Sequence, residues 1–199
     1  MKQLTEDFYL NDDVVDVSKR LLGKILVTQI NGELTSGRIV ETEAYGVNDR
    51  ASHAFGGRRT SRTETMYAKG GTAYIYLCYG IHHLFNVITN QKDVPEAVLI
   101  RGIEPLDGIE TMMQRRGHEK LKPNLTAGPG ILSQALGITR DLDGHSLYGP
   151  EISIYDDGTK VQNRLIVSGT RVGIDYAGGD AKLPWRFWIK GTKWKSPAA

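Results

Sequence analysis

The chain has 199 residues, 40% of them hydrophobic and 24% charged, with a net charge of +2, a composition typical of a soluble globular domain able to bury a substantial core. Its single cysteine, Cys78, excludes an intrachain disulfide and a cysteine-built zinc site. There is no apolar run behind Lys2 and no stretch of roughly 18 apolar residues, so neither a signal peptide nor a membrane span is expected, and an intracellular setting is.

Residues 11–22 read as a helix, with Asn11 or Asp12 available as cap, Lys19 and Arg20 in the last turn, and Gly23 as its stop. Val14, Val17 and Leu21 form its apolar stripe. Residues 24–30 read as a strand, Asn31-Gly32 as a two-residue hairpin turn, and residues 33–44 as the return strand. Alternation along that strand puts Ile39, Glu41 and Glu43 on one face and Val40, Thr42 and Ala44 on the other. A Gly- and Arg-rich loop covers residues 46–59. Ser61-x-x-Glu64 has the form of a capping box for a short helix ending before Gly70-Gly71.

Residues 72–78 form a β-branched and aromatic strand, broken by Tyr79-Gly80 and resumed over residues 81–89. Residues 97–103 give a further apolar strand. Asp107-x-x-Glu110 opens a helix that ends at Gly117, and residues 128–136 a second with Pro129 in its first turn. Short strands follow at residues 151–155, 165–168 and 185–189, and residues 196–199 read as a frayed end. Strands dominate, helices are interspersed and neighbouring strands look like hairpins, which predicts a single α+β domain over residues 1–199 with flanking helices on a largely antiparallel sheet.

Chemistry concentrates between Arg38 and Asn90. Glu43 reads either as a solvated strand carboxylate or as a general base at the mouth of a cleft. Glu41 and Glu43 cannot both be deeply buried and charged without partners. Tyr74 and Tyr76 share a strand face that serves equally as core packing or as a stacking platform for a planar ligand. Tyr79, at a turn, is awkward for a core and well placed to wedge between base pairs. Arg58, Arg59 and Arg62, with Arg50 nearby, suit phosphate contacts or an ordinary solvated loop. Cys78 reads as a small buried hydrophobe. The five histidines show no ligand spacing, so no metal is expected, and neither a P-loop nor a dinucleotide fingerprint is present.

In combination these segments are more specific. E-T-E-A-Y at residues 41–45, H-x-x-G-G-R at 53–58, Y-x-Y-x-x-Y-G at 74–80, Asn86, L-I-R-G-I-E-P-L at 99–106, T-A-G-P-G at 126–130, L-S-Q-A-L at 132–136, R-V-G-I at 171–174 and W-R-F-W-I-K-G at 185–191 occur in order over most of the chain. The chain thereby resembles the alkyladenine (3-methyladenine) DNA glycosylases of the mammalian alkyl-purine type. The resemblance implies a fold around a curved antiparallel sheet, no cofactor, and as partner double-stranded DNA carrying damaged purines; a monomer fits the size and the task. It implies Glu43 as the base that activates the attacking water and Arg101 as the residue that helps place it. Tyr45, His53 and Tyr76 match the residues that contact the flipped base, Asn86 the position that discriminates against the 2-amino group of guanine, and Tyr79 the residue that enters the duplex. The loop between Tyr45 and His53 is shorter than in the mammalian form, and Ile131 stands where family members often carry lysine.

The expected reaction is hydrolysis of the N-glycosidic bond of an extruded purine, leaving an abasic site. A cationic purine is a good leaving group that electron-rich rings select for. Lys69 is the nearest amine that could form a Schiff base and is not expected to do so, which predicts a monofunctional hydrolase. The competing readings are a non-catalytic nucleic-acid-binding module and a hydrolase of free nucleosides. Strong salt dependence of substrate binding speaks against the latter.

Overall fold

The structure, a computed structural model, describes residues 1–197. Its strands are β1 (Lys2–Gln3), β2 (Ile25–Ile30), β3 (Glu33–Tyr45), β4 (Ala73–Cys78), β5 (His82–Thr89), β6 (Glu96–Pro105), β7 (Ile152–Asp156), β8 (Ile166–Gly169) and β9 (Arg186–Ile189). Its α-helices are α1 (Glu6–Tyr9), α2 (Val14–Leu21), α3 (Ile109–Arg116) and α4 (Pro129–Leu136). All strands join one curled sheet in the order β1-β7-β2-β3-β6-β5-β4, with β9 on β3 and β8 on β9. Every pairing is antiparallel. The fold is α+β.

The long strand β3 is the hub. Its first half pairs with β2 and its second half with β9, while β6 lies along the other edge. Asn31 (φ 53°) and Gly32 (φ 83°) make the β2–β3 turn, both in the left-handed region that a type I′ hairpin requires. Val14, Val17 and Leu21 of α2 and Leu132, Ala135 and Leu136 of α4 pack with Ile39, Val40, Phe85, Val98, Ile100 and Ile103 of the sheet in the main core. Among the described residues no helix is long and apolar enough to cross a membrane.

Two compensating bulges sit at the centre. Ile39 pairs with Ile103, Glu41 with Gly102 and Thr42 with Ile100. Val40 on β3 and Arg101 on β6 therefore have no residue opposite. The bulge corrects the simple alternation expected for β3: Ile39 and Val40 both enter the main core, and Glu41, Glu43 and Tyr45 resume the period of two beyond it. Bulges re-aim side chains, and the residue re-aimed on β6 is Arg101.

Local signals fail where a tertiary partner competes. Asp13, not Asn11 or Asp12, caps α2, accepting from the amides of Val15 and Asp16. The Ser61–Glu64 capping box does not form. Residues Glu64–Tyr67 make a 3-10 turn behind Thr63 with no side-chain cap, because Glu64 accepts from Arg59 at 2.6 and 2.9 Å. Asp107 does not cap α3; its carboxylate takes the Ser36 hydroxyl at 2.7 Å. The cap is Gly108 at φ 69°, where a Cβ would lie 2.2 Å from the Leu34 carbonyl. The chain end is also corrected: Ser196 is 2% exposed. Of the rest of the expected frayed end, Pro197 is exposed, and residues 198 and 199 lie outside the described residues.

Candidate active site

The second half of β3, the bulged centre of β6, the β4–β5 hairpin, the loop before residue 63, the first turn of α4 and the segment 171–176 enclose a cavity of about 750 Å³. Its walls are mainly aromatic and apolar. Tyr45, His53, Tyr74, Tyr76, Asn86 and Arg101 line it, so the segments singled out in the sequence converge. Ile131, from the first turn of α4, lines it too.

Glu43 has no exposed surface. Its Oε1 accepts the Val172 amide at 2.9 Å. Its Oε2 accepts the Tyr45 hydroxyl at 2.8 Å and Arg101 Nη1 at 3.3 Å. Of the two sequence readings, the solvated carboxylate is therefore wrong. Tyr45, Arg101 and Val172 all line the cavity, so Glu43 lies directly beneath its floor. A carboxylate offers about four lone-pair directions; these contacts occupy three and leave one on Oε1. Burial and the Glu43 charge raise the Tyr45 pKa, which keeps the phenol a donor.

Glu41 is equally buried. It accepts from Arg186 Nε at 2.6 Å, from the Ser196 amide at 2.6 Å and from the Ser196 hydroxyl at 2.8 Å, with Arg101 Nε at 3.4 Å. The sequence required partners for the two glutamates and did not identify them. Behind Tyr45, Arg171 forms a fully buried bidentate pair with Asp49. It also lies 4.8 Å from the Tyr45 ring and 5.2 Å from the Trp185 ring. This pair holds both a wall of the cavity and residue 172, whose amide binds Glu43. The sequence showed Asp49 only as a loop residue.

The aromatic wall is a connected set. The His53 Nδ1 and the Tyr74 hydroxyl lie 3.0 Å apart. The His53 and Tyr76 rings meet edge-on at 4.6 Å, and Tyr74 and Tyr76 lie 5.5 Å apart. Burial, then the charges of Arg62 and Arg58, lower the His53 pKa to about 4, leaving a neutral imidazole at neutral pH. Burial pushes Tyr74 up to about 12 and raises Tyr76 as well. The Asn86 amide donates to the Tyr74 and Leu84 carbonyls at 3.2 and 3.3 Å, which fixes its plane at the cavity edge.

At the mouth, Tyr79 is 90% exposed with φ 51°, beside exposed Leu77 and Ile81. Cys78 is half-buried and lines the cavity, not the core expected for it. Of the three loop arginines, Arg62 lies 5.6 Å from the Tyr76 ring and Arg58 is exposed. Arg59 is already engaged by Glu64 and Asp93. Among the described residues no group of three or more His, Cys, Asp or Glu side chains is arranged to hold a metal ion.

The sequence profile described as Methylpurine-DNA glycosylase matches residues 7–193. A Clostridium perfringens (strain SM101) protein is 48% identical over 203 residues, covering 98% of each chain. A Chlamydia abortus protein is 50% identical over 186 residues, covering 92% of this chain and 96% of its own. A Clostridium acetobutylicum protein is 47% identical over 200 residues, with 96% of each covered. All three bear the name "Putative 3-methyladenine DNA glycosylase". With motifs, cavity and relatives in agreement, the chain belongs to the methylpurine-DNA glycosylase family.

Proposed function

We propose that this DNA glycosylase acts in repair by extruding an alkylated purine of the 3-methyladenine type from duplex DNA and hydrolysing its N-glycosidic bond. The whole chain serves as one catalytic unit and works as a monomer. The observation that carries the reading is Glu43, buried, gripped by three donors and set beneath a largely aromatic and apolar cavity with room for a base.

A stacked base is out of reach of any side chain, so it must leave the helix. Tyr79, exposed on a two-strand projection beside the cavity, fills the space it vacates. The base enters the cavity and stacks among Tyr45, His53 and Tyr76, whose electron-rich faces favour a cationic purine. Asn86, with its amide plane fixed, narrows the edge against a 2-amino group. Arg58 and Arg62 are free to meet phosphates. Arg59 must first exchange its carboxylate partners.

Water that reaches the free lone pair of Glu43 Oε1 when the cavity floor shifts on base entry, Glu43 being closed to solvent without the base, attacks C1′. The C1′–N bond breaks with its electron pair leaving on the purine, a C1′–O bond forms, and the water proton passes to Glu43. The products are free base and an abasic site. Lys69 does not line the cavity and pairs with Glu6 at 2.6 Å, which supports hydrolysis over a Schiff-base route.

The test is release of free base from methylated duplex DNA under single-turnover conditions, with wild type beside Glu43→Gln. Wild type releases 3-methyladenine and the variant loses about 10²–10⁴-fold, the usual size of a general-base contribution. Duplex binding without release of any altered purine would leave a binding module. Undiminished release by the variant would overturn the assignment of the base.

A further inference from the structure

Just beyond the family match at residues 7–193, residues 194–196 enter the charged network under the active site. Trp194 is 4% exposed and joins the main core. Two residues later Ser196 is buried again. The segment crosses β6 at Gly102, where a Cβ would lie 2.5 Å from the Trp194 carbonyl oxygen. Gly102 directly follows Arg101, so the tail passes over the bulge that aims Arg101 at Glu43.

The Ser196 hydroxyl has one proton to give and two lone pairs to offer; the proton is used, and three N–H groups share the two lone pairs. It donates to Glu41 Oε1 at 2.8 Å. It accepts from Arg101 Nη2 at 3.1 Å and Nε at 3.3 Å, and from Arg186 Nη2 at 3.3 Å. The Ser196 amide donates to Glu41 Oε2 at 2.6 Å and its carbonyl accepts from Arg186 Nη2 at 3.1 Å. One residue thus joins both arginines to Glu41.

A guanidinium is planar and rigid. Fixing the Nε–Nη2 edge of Arg101 on Ser196 and Glu41 therefore fixes where Nη1 points, which is Glu43 Oε2. Without the hydroxyl, that edge keeps only the 3.4 Å contact to Glu41. Glu41 then competes with Glu43 for the same cation. Arg101 also lines the cavity, so its displacement alters the floor on which water and the sugar rest.

We propose that Ser196 is a positioning residue of the glycosylase: it locks Arg101 onto Glu43, and residues 192–196 are a working part of the active site. The inference rests on Glu43 being the base. It predicts a defect in the chemical step and not in DNA binding.

The experiment compares single-turnover excision, KM and thermal midpoint for wild type, Ser196→Ala, Ser196→Thr, Glu43→Gln, Arg101→Gln and Ser196→Ala/Arg101→Gln. Ser196→Ala loses about tenfold in the single-turnover rate, corresponding to one hydrogen bond to a charged group, with KM within about twofold of wild type. Ser196→Thr, which keeps the hydroxyl, retains most of the rate. In the Arg101→Gln background Ser196→Ala costs less than about twofold, because residues acting as one unit are non-additive. A wild-type rate in Ser196→Ala with Glu43→Gln inactive would sink the role of the tail and leave the base intact. An active Glu43→Gln would sink both. Equal losses in the Ala and Thr variants, or an undiminished loss in the Arg101→Gln background, would reduce Ser196 to packing and overturn the proposal.

Discussion

The Asp49–Arg171 pair tests the architecture more sharply than any residue facing the cavity. Both side chains are fully buried. Asp49 also accepts the Ala51 amide at 3.0 Å, and Arg171 donates to the Ala44 and Asp180 carbonyls at 2.8 and 3.1 Å. Asp49→Asn keeps the shape and turns an acceptor oxygen into an NH2 facing a guanidinium. Two unit charges about 4 Å apart at an effective dielectric constant of ~20 attract by about 4 kcal/mol. That agrees with the roughly 3–5 kcal/mol lost when a buried pair is broken on one side. At about 2–4 °C per kcal/mol for a domain of this size, the thermal midpoint falls by roughly 6–20 °C, measurable by circular dichroism. Excision falls as well at temperatures where the variant stays folded, since Arg171 supports the Tyr45 ring and the segment whose Val172 amide binds Glu43. Asp49→Leu/Arg171→Met separates the two effects: apolar replacement of a whole pair is often neutral for stability, so the midpoint recovers while excision does not. An unchanged midpoint in Asp49→Asn would refute the reasoning, because the pair would then not be a desolvated one.

Tyr79 is a non-glycine residue in the left-handed region, a conformation costing roughly 1–2 kcal/mol. Tyr79→Gly therefore holds or raises the thermal midpoint while excision from duplex DNA drops by about 5–150-fold, the equivalent of ~1–3 kcal/mol of lost stacking; excision at the wild-type rate would remove the wedge. His53 has its pKa lowered to about 4 in the folded chain, against about 6.5 when unfolded. The unfolded chain thus takes up this proton first, and stability falls as pH drops from about 6.5 toward 4. His53→Gln flattens that fall in urea midpoints between pH 7 and pH 5, and identical profiles for variant and wild type would contradict it.

The parts of this fold legible in the sequence are those whose cause is local. Asn31-Gly32 needs only positive φ at two positions, and the α2 stripe needs only helical period. What escaped reading depends on distant partners. The short elements α1 and β1 carry no periodic signal; β1 exists only because β7 offers it an edge. The Ser61–Glu64 cap lost to Arg59, and the Asp107 cap lost to Ser36. The bulges at Val40 and Arg101 leave no mark on the sequence, because they are set by register between strands far apart in the chain. Ser196 sits in a Ser-Pro-Ala-Ala stretch that reads as an unstructured end, and it is ordered by a glutamate 155 residues away.

The site shows why the glutamates were ambiguous. Alternation alone places Glu41 and Glu43 together, and most strand carboxylates are wet. Burial reverses that expectation only if cations arrive to match, and they come from Arg101 and Arg186, 58 and 145 residues later. The count closes: two buried carboxylates and two buried guanidinium groups make the network neutral. Such a network is poor value as a stabiliser, since well-packed apolar side chains would serve as well or better. Its return lies in chemistry. The network sets two guanidinium groups against the two glutamates away from solvent, and it leaves one lone-pair direction of Glu43 unfilled. A glutamate with every acceptor satisfied would be a structural residue, whereas one held on three sides with its fourth direction unfilled is what the proposed base requires.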